Sequence, residues 1–125
     1  MKKVLLSFLV LLPLQTFADT EYSSYYNQCM EDSEGITANM LDCNGIETQY
    51  QDDRLNKVYK KLQQKLSPSE KLKLRDEQRA WIKSRDRKVD QVYRTQSGTM
   101  ANLEGSSLYL ELTTKQADKL ERRLN

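Results

Sequence analysis

The chain has 125 residues, of which 30% are charged, with 20 Lys and Arg, 18 Asp and Glu, and no His. That length makes one domain with a modest core, and the lack of His removes the usual neutral-pH general base and a common zinc ligand. The charge is unevenly spread: Asp19 to Asp53 holds nine acids and no Lys or Arg, Arg54 to Arg94 holds fourteen basic residues against five acids, and Thr95 to Asn125 has four of each.

Residues 1–18 read as an export signal. Lys2 and Lys3 precede an apolar run from Val4 to Leu14, and Thr16-Phe17-Ala18 places small residues at the −3 and −1 cleavage positions. The run is short for a membrane span, and no Cys follows it closely to carry lipid. Cleavage before Asp19 is expected to leave residues 19–125 as a single, formally neutral domain in the periplasm or outside the cell. No stable membrane anchor is expected.

Helical periodicity runs through the rest, and β-branched residues nowhere alternate as a strand requires. A first short helix is expected over Tyr22 to Asp32, with Tyr22, Tyr25, Tyr26 and Cys29 near one face and Glu34-Gly35 ending it. Thr37 is placed to cap a second helix marked by Met40, Cys43, Tyr50 and the stripe Leu55, Tyr59, Leu62, Leu66. Gly45 implies a kink or a break within it. Ser67-Pro68-Ser69-Glu70 carries a capping box with Pro at the first helical position, so a third helix should run from there to about Tyr93. The near-direct join makes the second and third helices an antiparallel hairpin. After a loop at Ser97-Gly98, a last helix is expected over Leu108 to Leu124, with Leu108, Leu112 and Leu120 partly inward and Thr113-Thr114 perturbing it.

Cys29 and Cys43 are an even pair in an exported chain, which favours a disulfide. The rival is a redox or metal pair, but the spacing is wrong for Cys-x-x-Cys and no His completes a zinc site. A loop of this size would stabilise the fold by roughly 3 kcal/mol in the chain-entropy model. The expected fold is therefore all-α: a small helical bundle built on a long antiparallel hairpin, with one disulfide tying the N-terminal helix to the second.

The only Trp, Trp81, shares a helix face with Leu74, Gln78, Arg85 and Val89. A Trp flanked by Gln and Arg implies polar groups that need partners once partly desolvated. Counting outward from the Ser67 turn brings Asp52 and Asn56 near Gln78, Trp81 and Arg85. The expectation is a partly buried Asp52–Arg85 ion pair flanked by Asn56 and Gln78, fixing helix register at uncertain net stability.

Catalytic chemistry finds little support. The serines occupy caps and loops with no nucleophile elbow, and neighbouring acids such as Asp52-Asp53 and Asp76-Glu77 point in different directions along a helix. Asp42, Glu47, Asp52 and Asp53 would collect a hard cation only if helices converged there. The basic run with Tyr59, Trp81 and Tyr93 has the look of a nucleic-acid surface, but an exported chain does not meet that target and the aromatic spacing fits a core. No catalytic residue, metal or cofactor is assigned.

The residues Cys29, Met40-x-x-Cys43, Asp52-x-x-Leu55-Asn56-x-x-Tyr59 and Leu74-Arg75-x-x-Gln78-Arg79-Ala80-Trp81-Ile82-x-x-Arg85-Asp86, with looser agreement at Gly105-Ser106 and Leu112-Thr113, together resemble the LprI-type lysozyme inhibitor family. The likeness spans about Cys29 to Leu124. It implies a helical, exported, Cys-bearing domain that restrains lysozyme or a related cell-wall hydrolase without catalysis. The chain departs from relatives that carry a second Cys pair: here those regions read Arg87-Lys88-Val89 and Leu108-Tyr109-Leu110-Glu111. Lysozyme inhibition does not follow for every bearer of a fold, so an envelope interaction or immunity-type module binding another protein is the alternative. Tyr22, Tyr25, Tyr26, Asp42 and Asp53 are the candidate partner contacts, the tyrosines because Tyr is common at interfaces and the acids because they could attract a basic surface. The competing explanations are internal: the tyrosines pack the first helix down, and the acidic segment pairs with the basic one.

Overall fold

The structure, a computed structural model, describes residues 20–125. The expected signal at residues 1–18 lies outside them. The described residues form four helices, α1 (Ser24–Asp32), α2 (Thr37–Lys65), α3 (Pro68–Thr95) and α4 (Gly98–Leu124), with no strand among them.

Helix α1 starts at Ser24 rather than Tyr22 because Ser23 is its cap: the Ser23 hydroxyl accepts the backbone N–H of Tyr26. Beyond Asp32 the chain reverses through two left-handed residues, Glu34 at φ 52° and Gly35 at φ 73°. Gly35 takes that conformation at no steric cost, which makes it the terminator its position suggested. The Cys29–Cys43 disulfide closes this reversal, with Cα atoms 5.8 Å apart.

Two expectations about α2 are corrected. Ile36, not Thr37, occupies the cap position and supplies no side-chain hydrogen bond. The helix also runs through Gly45 without a break, because the flanking Asn44 and Glu47 are buried and hydrogen-bonded. Tertiary contacts there outweigh the propensity cost of one Gly, about 1 kcal/mol. The capping box at the start of α3 is present in both directions: the Ser67 hydroxyl accepts from Glu70 N, and the Glu70 carboxylate accepts from Ser67 N. These bonds hold the Glu70 carboxyl below its ordinary pKa.

The last helix is the largest correction. It begins at Gly98, not Leu108, and Thr113-Thr114 leaves it unbroken. Gly105 and Ser106-Ser107 have low helix propensity, but this stretch packs closely on its neighbours, with Ala101 and Gly105 buried. Thr114 returns its hydroxyl to the Leu110 carbonyl at 2.8 Å. The inward face of α4 is built on Ala101, Gly105, Leu110, Thr113, Thr114, Gln116, Ala117 and Leu120 rather than on a leucine stripe.

These small residues let α4 lie deep in the bundle. It makes the most extensive packing with α2 and a second interface with α3, while α1 rests on α2. The α2–α3 hairpin is closed at Leu66-Ser67, but its arms make little direct contact. The apolar core, Leu55, Val58 and Leu62 of α2, Leu74 of α3, and Ala117 and Leu120 of α4, is flanked by Tyr59, Leu66, Trp81 and Leu124. Away from it, polar groups are buried beside Cys43, Ala101 and Leu110. Glu47, Gln51 and Arg54, spaced along one side of α2, form a chain: Gln51 donates to Glu47 at 2.8 Å and Arg54 donates to Gln51 at 2.8 Å. Arg54 then reaches α4, pairing with Asp118 at 2.6 Å and Glu121 at 3.0 Å. Helix register is thus fixed by a buried hydrogen-bond ladder in place of side-chain volume alone.

Candidate functional site

Two regions carry the residues singled out from the sequence. The first is the outer face of α1 and the first half of α2. Tyr25 is 57% exposed, Ile46 50% and Tyr50 54%. Asp42 and Asp53 are exposed on the same side of α2 as Ile46 and Tyr50, since positions 42, 46, 50 and 53 recur at helical spacing. A shallow cavity of about 350 Å³ over the disulfide is bounded by Tyr25, Asp32, Asn39, Asp42 and Ile46. Exposed apolar side chains framed by carboxylates form a surface suited to a basic macromolecule.

Tyr22 and Tyr26 are half-buried instead. Their rings meet at 4.8 Å, and the Tyr26 hydroxyl donates to Asn44 Oδ1 at 2.9 Å. Asn44 in turn donates to the hydroxyls of Ser106 and Ser107, which ties α1 through α2 to α4. Burial, then the neighbouring Tyr26, Glu111 and Glu47, pushes the Tyr22 phenol up to about 12. These two rings pack the N-terminal segment onto the bundle.

The acids before Arg54 do not neutralise the basic run. The ion pairs among the described residues are Arg54–Asp118, Arg54–Glu121, Arg75–Asp76, Arg85–Asp86, Arg94–Asp90, Lys115–Glu111 and Arg123–Glu77. None uses an acid from residues 20–53. Internal pairing of acidic and basic helices is therefore not the reason for the charge asymmetry.

The second region surrounds Trp81. Leu74 is fully buried, and Gln78, Trp81, Arg85 and Val89 are partly buried on the same α3 face. The Arg85 guanidinium lies 4.9 Å from the Trp81 ring and 4.1 Å from the Tyr109 ring of α4, a cation held by two aromatic faces. Its Nε donates to Asp86 at 3.0 Å. The expected Asp52–Arg85 ion pair is absent. Asp52 is close enough for Arg85 to pull its pKa down, but burial dominates and, with Asp53, leaves the carboxyl above its ordinary value. The physical reason is α4: Tyr109 offers Arg85 an aromatic face, and Asp86 offers it a nearer carboxylate. Gln78 likewise pairs across to α4, accepting from Gln116 Nε2 at 2.9 Å. Asn56 is exposed and stays outside the cluster.

Tyr109 is the residue that sequence reasoning missed. Its stack with Arg85 joins α3 to α4. Burial and the Asp52 charge raise its phenol pKa, opposed by Arg85. Asp42, Glu47, Asp52 and Asp53 do not converge, and no group of three or more metal-ligating residues occurs among the described residues. No helix of the described residues is long and apolar enough to cross a membrane.

The described residues thus form a small disulfide-clipped helical bundle with a stacked Trp-Arg-Tyr seam. The model of the lysozyme inhibitor LprI family matches residues 29–120, and the chain belongs to that family. No curated protein and no solved structure matches the chain.

Proposed function

We propose that this protein is exported to the bacterial envelope, with residues 1–18 as its signal, and there binds and inhibits lysozyme or a related cell-wall hydrolase without catalysis of its own. Family membership supports the lysozyme-inhibitor type. The observation that carries the choice of surface is the acidic segment: among the described residues no acid of 20–53 is engaged in an ion pair, and Tyr25, Ile46 and Tyr50 stand exposed among them. Lysozymes are often basic. Free carboxylates attract a basic partner over a Debye length, and exposed apolar side chains give the contact its short-range hold.

The test is inhibition of several lysozymes by the purified protein, with association rates measured from low to high salt. The expected result is inhibition, with association that slows steeply as salt rises and slows further in an Asp42→Asn/Asp53→Asn variant. A salt-independent rate would remove the steering role. No effect on any lysozyme at micromolar protein would replace inhibition with the other reading, an envelope interaction or immunity-type module.

A further inference from the structure

The weak contact between α2 and α3 leaves an opening that the outer-face reading does not use. It is a cavity of about 450 Å³ floored by α4 at Gly105 and Tyr109, with Leu41 and Asp52 on the α2 side and Val89 and Tyr93 on the α3 side. Gly105 shapes the floor: a Cβ there would stand 2.5 Å from the Tyr93 ring, so only Gly lets that ring settle against α4.

Asp52 is the one charged group lining this cavity. Among the described residues nothing donates a hydrogen bond to it, and it enters none of the ion pairs described above. A partly desolvated carboxylate gains from a direct donor, and its oxygens can only accept. The complementary group must therefore donate. Thr48 and Gln49 lie beside it on α2, while the wall across from it, Val89, Tyr93 and Tyr109, is aliphatic and aromatic, which suits an apolar stem, and ring faces favour a cation over a neutral donor. Arg85 cannot serve, because its guanidinium is held between Trp81 and Tyr109 and bonded to Asp86.

We propose that this groove is a socket for one arginine or lysine side chain of a basic protein partner, with Asp52 pairing the cationic head and Tyr93 and Tyr109 flanking the stem. The identity of the occupant as part of a basic protein rests on the reading in the preceding subsection; the cation preference of the groove does not.

The test is a titration of the isotope-labelled purified protein, followed by amide NMR. The probes are N-acetyl-arginine methylamide, its neutral isostere N-acetyl-citrulline methylamide, and a trisaccharide of N-acetylglucosamine. The arginine probe should shift resonances of residues 48–52, 89–93 and 105–109, with the citrulline probe at least about tenfold weaker, a gap of about 1.4 kcal/mol. Asp52→Asn should abolish that difference and Asp42→Asn should preserve it, each judged on variants whose spectra remain dispersed. Equal binding of arginine and citrulline, no shifts in the groove, or groove shifts with the trisaccharide alone would overturn the socket. Lysozyme added in a parallel arm separates the two readings. Lysozyme binding with a groove indifferent to arginine removes the socket alone. An arginine-selective groove in a protein that ignores lysozyme removes the lysozyme reading alone.

Discussion

Ser23 donates its backbone N–H to the Glu47 carboxylate at 2.9 Å, and its hydroxyl donates to the other oxygen of the same group. The residue that caps α1 is thus gripped by a carboxylate that is 1% exposed on α2. Glu47 also accepts from Gln51, so three donors converge on one buried acid. Glu47→Gln replaces one acceptor oxygen with a donor that faces other donors. The expected loss is about 2–3 kcal/mol, the cost of hydrogen bonds to a charged group left unmade. Urea unfolding should show it as a lower midpoint at unchanged slope, and amide exchange should quicken first in α1. An unchanged midpoint would show that these bonds contribute nothing net.

Gly105 and Tyr93 should prove coupled. In isolation a Gly-to-Ala change inside a helix stabilises by roughly 0.5–1 kcal/mol. Here the added Cβ meets the far end of the Tyr93 ring at 2.5–2.8 Å, and the ring, 45% exposed, must swing outward. Gly105→Ala should therefore give little or no gain in the natural chain and the full gain in a Tyr93→Ala background. A double-mutant cycle measures the difference. Equal increments in both backgrounds would mean that the ring does not rest on α4 in solution.

Asp52→Asn should raise stability at neutral pH. Burial puts the folded carboxyl above its ordinary value of 3.8, so the native state holds its proton more tightly than the unfolded chain. Stability from this group is then greatest below the unfolded pKa and declines as pH rises through the folded one. Asn escapes that decline. Thermal melts should show Tm of Asp52→Asn above that of the parent at pH 7, with the gap closing toward pH 3.8 and below. The opposite sign at pH 7 would indicate a stabilising Asp52–Arg85 pair in solution.

The parts of this fold legible in the sequence were those written in apolar spacing or capping chemistry. Ser67 to Glu70 announced the start of α3, and Leu74, Gln78, Trp81, Arg85 and Val89 do share one inward face. The early part of α4 was not legible, because Gly105, Ser106 and Ser107 are poor helix formers whose value lies in close approach to other helices. The buried face of the first half of α2 was hidden for a different reason. Its spacing, Cys43, Glu47, Gln51, Leu55, Val58 and Leu62, is helical throughout, but it passes through an acid and an amide that apolar periodicity ignores. Arg85 was placed at the right seam with the wrong partner, since a pairing rule drawn from the hairpin alone left out α4 and therefore Tyr109.

The Cys29–Cys43 bridge spans the reversal between α1 and α2 and makes no covalent link to α3 or α4. Its scission would loosen a nine-residue appendage and leave the body standing. Since that appendage brings Tyr25 beside Ile46, a reductant would fray this exposed rim well before the scaffold failed. The long helices and the exposed rim are under separate locks in this molecule, and only one of them is made of sulfur.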